Sequence, residues 1–365
     1  MKILQVPYAN KIPLFSKAGT IPGGLEKVIH NVHKLLLSRG YDCHVIDAEG
    51  SYWDAPNVHK IMTESPIETN KRIIDFIYNN DIDVIINHGR KSFQKNLNKE
   101  SMKNLFIDHS GLDALMKLYD EECYTTTWEN AKKLGTIFIG VSQTQIEARN
   151  QGIQKQMNSD FQYDDWCKFQ FVEEELNLPV LDPEGYAFAV ARADKVKELH
   201  LMEKFDQFPY QCCTSPYHRE EQEAHQKYMK RYEKFYAQDN VHWNLPRPQV
   251  IDKFRKANLL VSTWYAESAG ITAFESLSYG VPVVLNEKKF DHASRFFAPE
   301  GNDYVCTLNE TDKMREFFDY DLEKRRKISE EVREYNSQKM FLNNFVPFLE
   351  KVQQNNNTNS VLNFL

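Results

Sequence analysis

The sequence predicts an α/β protein in two halves, each built on a parallel sheet. Short apolar runs of strand length alternate with longer stretches of helical periodicity. The alternation breaks off in an irregular stretch near the middle and then resumes. At 365 residues the chain also exceeds what one compact core of usual size holds.

Residues 2–6 read as the first strand. Residues 23–39 have the spacing of an amphipathic helix that turns Val28, Val32, Leu35 and Leu36 inward, and residues 41–47 read as the next strand. Further strands fall at 84–87, 105–107 and 137–141, completing a first Rossmann-like half that ends near Arg149. Between 150 and 185 the chain is rich in Gln, Asp and Asn, and the Leu178-Pro179 and Asp182-Pro183 steps break any long helix, so the interdomain connection belongs there. The second half has strands at 186–190, 211–214, 241–243, 259–261 and 281–285, followed by a charged helical region over 322–354 and a polar, mobile tail at 355–360. The expected layout is an N-terminal domain over 1–165, a C-terminal domain over 166–330, a last helix over 331–352 and a tail over 353–365. No solenoid-type repeat is present.

Composition narrows the function classes. With 41% hydrophobic residues and 13% aromatics there is material for packed cores, while 27% charged residues and a mean hydropathy of -0.60 point to a soluble protein. No stretch has membrane-span length, and Met1 leads directly into the first strand without a signal-peptide pattern, so a cytoplasmic protein without membrane insertion is expected. The cysteines Cys43, Cys123, Cys167, Cys212, Cys213 and Cys306 are scattered and lack metal or redox spacing, which points to reduced structural thiols. A net charge of -7 gives no global attraction to nucleic acid. No Asp-x-Asp or His/Cys cluster calls for a metal.

The most informative segment is 263–285. The apolar run Leu259-Leu260-Val261 reads as a buried strand, Gly270 allows a close backbone approach to a ligand, and Ile271 to Tyr279 has helical spacing with Ile271, Phe274, Leu277 and Ser278 on one side. Gly280 stops that helix before the next strand, which Pro282 opens. A helix that begins at a glycine turn presents free amide N–H groups and a positive dipole end, which suits a diphosphate. Glu267 and Glu275 lie eight residues apart; with phosphates on the helix end they fall on opposite sides of them, so that one can accept from sugar hydroxyls and the other from ribose hydroxyls.

Glu267, Gly270, Glu275 and the Gly280-Val281-Pro282-Val283 step resemble the signature of the retaining glycosyltransferases of GT-B fold, in particular glycosyltransferase family four and the glycogen synthase-like enzymes. The resemblance implies two Rossmann-like domains with parallel sheets facing across a cleft and a last helix crossing back to the first domain. It implies a nucleoside diphosphate sugar as donor, with Gly270, Ile271, Thr272 and Glu275 in donor binding and Glu267 on the sugar. Gly23 and Gly24 look like the family's Gly-Gly loop, which approaches the donor from the N-terminal domain. Arg192 and Lys197 have the spacing of the family's two diphosphate cations. Ala191 and Glu198 stand where the family usually has glycine, and Lys195 is a rival for the second cation.

Asp108-His109-Ser110 follows an N-domain strand and is similar to a triplet in the DNA alpha-glucosyltransferases of T-even phages; His109 is expected on the donor-sugar side. Asp108 is expected to orient it or serve an acceptor hydroxyl, with His88 and Arg90 as further acceptor-side residues. Catalysis is thus expected from His109, Arg192, Lys197 and Glu267, with no metal or other cofactor. The expected reaction is transfer of a hexosyl or pentosyl group with retention. The first expected acceptor is 5-hydroxymethylcytosine in bacteriophage DNA, a DNA modification in the host cytoplasm with hydroxymethylated duplex as partner. A bacterial enzyme acting on a polysaccharide, lipid-linked glycan or small molecule is the alternative, and a noncatalytic sugar-nucleotide-binding scaffold comes third. Either a monomer or a dimer is compatible.

Overall fold

The computed structural model describes the chain apart from residues 9–13, 15–23, 91–92, 94–96, 110–121, 158–160, 194, 196, 206, 217–222, 265–269, 287–296, 298–302 and 363–365, and apart from the side chains of 98–99, 122–127, 155–157, 224 and 356–362. Contacts divide it into two compact units, Met1–Gln170 with Gln338–Leu365, and Phe171–Ser337.

The first unit is built on a seven-stranded sheet of β1 (Lys2–Val6), β2 (Asp42–Ala48), β3 (Val58–Met62), β4 (Val84–Asn87), β5 (Asn104–Asp108), β6 (Ile137–Gly140) and β7 (Asp165–Trp166), in the order β3-β2-β1-β4-β5-β6-β7. Every pairing is parallel. Its helices include α1 (Gly24–Ser38), α2 (Pro66–Asn79), α3 (Glu122–Lys133) and α4 (Gln143–Met157). Burial on both faces explains the continuous apolar runs: β4, β5 and β6 are buried at every position. α2 starts at a capping serine, Ser65, whose hydroxyl accepts from the Glu68 amide, with Pro66 in the first turn.

The second unit holds β8 (Ala187–Val190), β9 (Tyr210–Thr214), β10 (Val241–Trp243), β11 (Leu259–Ser262), β12 (Val283–Leu285) and β13 (Val305–Thr307), in the order β10-β9-β8-β11-β12-β13, again all parallel. α5 (Glu223–Arg231), α6 (Glu233–Tyr236), α7 (Arg247–Lys256), α8 (Ile271–Ser278), α9 (Thr311–Phe318) and α10 (Leu322–Tyr335) accompany it. Cys212, Cys213 and Cys306 are buried thiols in this core, as are Cys43 and Cys167 in the first unit.

Three elements differ from the sequence expectation. α4 runs to Met157 and β7 follows it, so part of the stretch read as a connection belongs to the first unit. The charged region after 322 is two helices, broken at Asn336, whose side chain caps the Val332 carbonyl and also reaches Phe297 O. The second of them, α11, spans Gln338–Leu362, through the segment read as a tail. It packs on β4, β5 and the 3-10 turn Asn98–Lys103 through a stripe of buried Phe341, Phe345, Leu349 and Val352.

Gly280 closes α8. The Gly280 amide donates to Leu277 O and the Val281 amide to Ser276 O, a Schellman arrangement that requires the left-handed φ of +77° found here. A Cβ at this position would lie 2.2 Å from the Arg325 carbonyl oxygen of α10. Gly280→Ala is therefore expected to destabilise the second unit by about 2 kcal/mol or more, seen as a lower urea midpoint with unchanged slope.

Candidate functional site

In an open parallel sheet ligands bind beyond the carboxyl ends of the strands, at the point where the strand order reverses. In the second unit that point lies between β8, whose other neighbour is β9, and β11, which leads on to β12. Of the residues singled out from the sequence, Arg192 and Lys197 follow β8, and Gly270, Ile271, Thr272 and Glu275 follow β11.

After β8 the backbone stays extended, with the Ala191 amide donating to Cys213 O at 3.2 Å and the Ala193 amide to Ser215 O at 2.9 Å. Period-two alternation then buries Ala193 and leaves Arg192 exposed on the opposite face. Lys197 turns toward the end of β11: its Nζ lies 3.5 Å from the Trp264 ring centroid, and its carbonyl oxygen accepts from the Thr263 hydroxyl. Asn286, just after β12, fixes the same turn by donating to Thr263 O at 2.7 Å. Lys195 is exposed. Glu198 has a left-handed φ of +47°, which accounts for the glycine that the resembling family favours there.

α8 opens at Gly270, whose φ of +58° is again left-handed and which offers no capping side chain to the first helical amides. Ile271 and Thr272 occupy the first turn, half-buried. One turn further, Glu275 faces inward at 4% exposure. Its carboxylate meets a forked ion pair: Arg247 Nη2 lies 2.7 Å from Oε1 and Nη1 3.2 Å from Oε2. The same guanidinium binds Glu175 through Nε at 3.1 Å and Nη2 at 2.8 Å. The paired carboxylates hold the Arg247 guanidinium well above its ordinary range against the opposing effect of burial. A carboxylate has about four acceptor positions, so the fork does not by itself exhaust those of Glu275.

Arg247 escaped the sequence reading because nothing local marks it. It follows Pro246 at the start of α7, and its partners lie 28 and 72 residues away in the chain.

In the first unit the order reverses between β1 and β4. Gly24 begins α1 at an exposed position, whereas Gly23 lies outside the described residues, as does Glu267 in the second unit. His88 and His109 follow the adjacent strands β4 and β5 and meet, His88 Nδ1 to His109 Nε2, at 3.1 Å. Burial pushes His109 down to about 4 and His88 well below the ordinary imidazole range. Both are thus neutral near pH 7.

Asp108 and Arg90 differ from their expected acceptor-side placement. Asp108 is the last residue of β5, and alternation directs it away from His109: its Oδ2 accepts from Arg149 Nε of α4 at 3.0 Å and from the Tyr163 hydroxyl at 2.7 Å. Arg90 is 2% exposed, bonded through Nε to Asn70 of α2 at 2.9 Å and set against Met62 of β3. Both side chains brace the first unit's interior.

The neutral histidines carry a stability consequence. His33, His88 and His109 have folded values below the ordinary 6.5, with His33 also pushed to about 4 by burial and neighbouring imidazoles. Over this range the unfolded chain binds more protons, so stability rises with pH. It is complete above about 6.5 and falls progressively toward pH 4, at about 1.4 kcal/mol per group and pH unit. Urea midpoints measured from pH 7.5 to 4.5 are expected to drop below pH 6.5.

Residues 212–339 match the family described as Glycosyl transferases group 1. The chain superposes on sucrose-phosphate synthase from Thermosynechococcus elongatus with a TM-score of 0.69 at 12% identity, covering 96% of this chain and 99% of that one. The fold is GT-B. WaaG, a glycosyltransferase involved in lipopolysaccharide biosynthesis, superposes with a TM-score of 0.61 at 14% identity over 96% of this chain and 98% of its own. Anabaena HepE, in complex with UDP and glucose, gives 0.58 at 14% identity with both chains fully covered. Among curated protein sequences, none matches this chain. The matched family segment spans the GT-B sheet from β9 onward and includes Arg247, the α8 turn and Gly280, but not Arg192 or Lys197. No described helix is long and apolar enough to cross a membrane, and among the described residues no group of three His, Cys, Asp or Glu side chains could hold a metal ion.

Proposed function

We propose that the chain is a retaining glycosyltransferase that takes a hexosyl or pentosyl group from a nucleoside diphosphate sugar and passes it to an acceptor hydroxyl. The observation that carries this reading is the convergence of Arg192, Lys197, the uncapped start of α8 and the inward Glu275 on one strand-order reversal, within or beside a segment matching a glycosyltransferase family.

In this reading the diphosphate lies on the first amides of α8, with Arg192 and Lys197 meeting the charge that develops as the glycosidic bond breaks. Cations and a helix dipole then do the work a divalent metal does elsewhere, so turnover is expected to survive EDTA. Lys197 rather than Lys195 takes the second cationic role, because the Trp264 ring and Thr263 fix it at the end of β11. Glu275, oriented by Arg247, accepts from the ribose hydroxyls. Glu267 takes the sugar, and His109 meets a hydroxyl on the donor-sugar side. Transfer follows a front-face course in which the departing diphosphate helps take the acceptor proton. HepE binds UDP and glucose, which supports a UDP-sugar as the first donor to try.

The first acceptor to test is hydroxymethylated cytosine in DNA, on the strength of the Asp108-His109-Ser110 triplet. A glycan or small-molecule acceptor is the second reading, favoured by the net charge of -7, which opposes a polyanion. The test is incubation with a panel of nucleotide sugars and either hydroxymethylcytosine-containing DNA, unmodified DNA or oligosaccharides, with products read by mass spectrometry and the new linkage by NMR. Transfer with the donor's anomeric configuration supports the proposal. An inverted linkage contradicts the retaining course, and donor binding without transfer or hydrolysis points to a scaffold.

A further inference from the structure

Gln5, His88 and His109 form a continuous chain of hydrogen bonds running outward from the core of the first unit. Gln5 lies inside β1 and is fully buried, His88 is fully buried after β4, and His109 is half-buried after β5. The chain has a direction, which starting atoms dictate. The Gln5 amide nitrogen lies 3.4 Å from the Ile29 carbonyl oxygen, which can only accept, so the nitrogen points there and the Gln5 oxygen points to His88. That oxygen, 3.0 Å from His88 Nε2, must receive a proton, which places the ring hydrogen of neutral His88 on Nε2. His88 Nδ1 is then a lone pair, and the His109 nitrogen 3.1 Å away, Nε2, must carry the hydrogen. His109 in turn is left with an unprotonated Nδ1.

From this geometry we infer that Gln5 and His88 are positioning residues that fix His109 as its Nε2–H tautomer, so that His109 offers a ligand an acceptor nitrogen and recognises a hydroxyl by taking its O–H. The ligand role rests on the proposed transferase function; the tautomer does not. Among the described residues no partner meets His109 Nδ1, and Asp108, next in sequence, is drawn the other way by Arg149 and Tyr163. Burial keeps both imidazoles neutral, so the directed chain persists near pH 7. A nitrogen that accepts selects a hydroxyl over an ether or a deoxy carbon at the same position. It would also face a phosphate unfavourably, since both would be acceptors.

The test reads the ring nitrogens of His109 by NMR on the ligand-free protein labelled with 15N-histidine, assigned with His109→Gln. A spectrum showing Nε2 protonated and Nδ1 unprotonated is expected; the reverse overturns the inference whether or not transfer activity is found. Gln5→Met removes the accepting oxygen while keeping an unbranched side chain, and is expected to give a mixture of His109 tautomers. Gln5→Glu restores an acceptor and is expected to restore the single one. A folded Gln5→Met protein with the wild-type tautomer ratio overturns the positioning role. With an active donor, a monodeoxy sugar series is expected to show one position at which loss of the hydroxyl costs about three- to tenfold in affinity in the wild type and less in His109→Phe. Equal losses in both proteins overturn the hydroxyl contact.

Discussion

Arg192→Ala is expected to lower the rate of sugar transfer by a factor of about a hundred or more while leaving the unfolding midpoint nearly unchanged. The first half follows from chemistry: a cation aimed at charge that appears only as the diphosphate leaves lowers the barrier, and removing one such group costs about two to three orders of magnitude. The second half follows from the fold. Arg192 is exposed, on the face of an extended segment whose backbone bonds to Cys213 and Ser215 and whose buried neighbour Ala193 remain intact in the variant. Exposed substitutions of this kind stay within about 0.5 kcal/mol. Single-turnover kinetics beside a urea titration separate the two. Arg192→Lys keeps charge but loses the planar fork and is expected to recover only part of the rate.

Arg247→Ala is expected to have the largest stability effect of the site residues and to weaken nucleotide binding as well. The Glu275 side chain is 5% exposed and the Glu175 side chain 31%, and both are met by the one guanidinium. Removing it leaves a buried carboxylate without its forked partner and two carboxylates facing each other. Breaking a buried pair costs about 3–5 kcal/mol; Arg247 is itself 37% exposed, so a loss near 3 kcal/mol is expected. Glu275 would also lose its orientation, so affinity for a ribonucleotide should fall more than affinity for its 2′,3′-dideoxy counterpart. Equal losses for both would show that Arg247 supports the fold without setting the ribose contact.

Much of this was legible in the sequence where the signal is local. The strands β4, β5, β6, β8 and β11 are short apolar runs because parallel strands are buried on both faces. The edge strand β3, with His59 and Lys60 inside it, and the two-residue β7 lack that pattern. The Asn- and Gln-rich end reads as a tail because it is polar, yet α11 continues through it from a strongly apolar first half. In the site, Gly270, Glu275 and Gly280 announced themselves through spacing around one turn and one helix. Arg247 and Gln5 did not, since each works through a partner distant in sequence: Glu275 is 28 residues from Arg247 and His88 is 83 from Gln5. Side-chain direction at strand ends was equally hidden, and it turns Asp108 toward Arg149 while its neighbour His109 meets His88.

In the proposed reading a diphosphate binds beside Arg192, Lys197 and the first turn of α8. Calorimetric titration is the measurement to make, with nucleoside diphosphates and the matching nucleosides added to the wild type, to Arg192→Ala, to Lys197→Ala and to Arg72→Ala, whose ion pairs lie on the exposed surface of the first unit. One diphosphate is expected to bind far more tightly than its nucleoside, with Arg192→Ala and Lys197→Ala each losing about tenfold or more, as charge-assisted bonds require, while Arg72→Ala binds as the wild type does. No diphosphate binding, or binding indifferent to both Arg192 and Lys197, would contradict it.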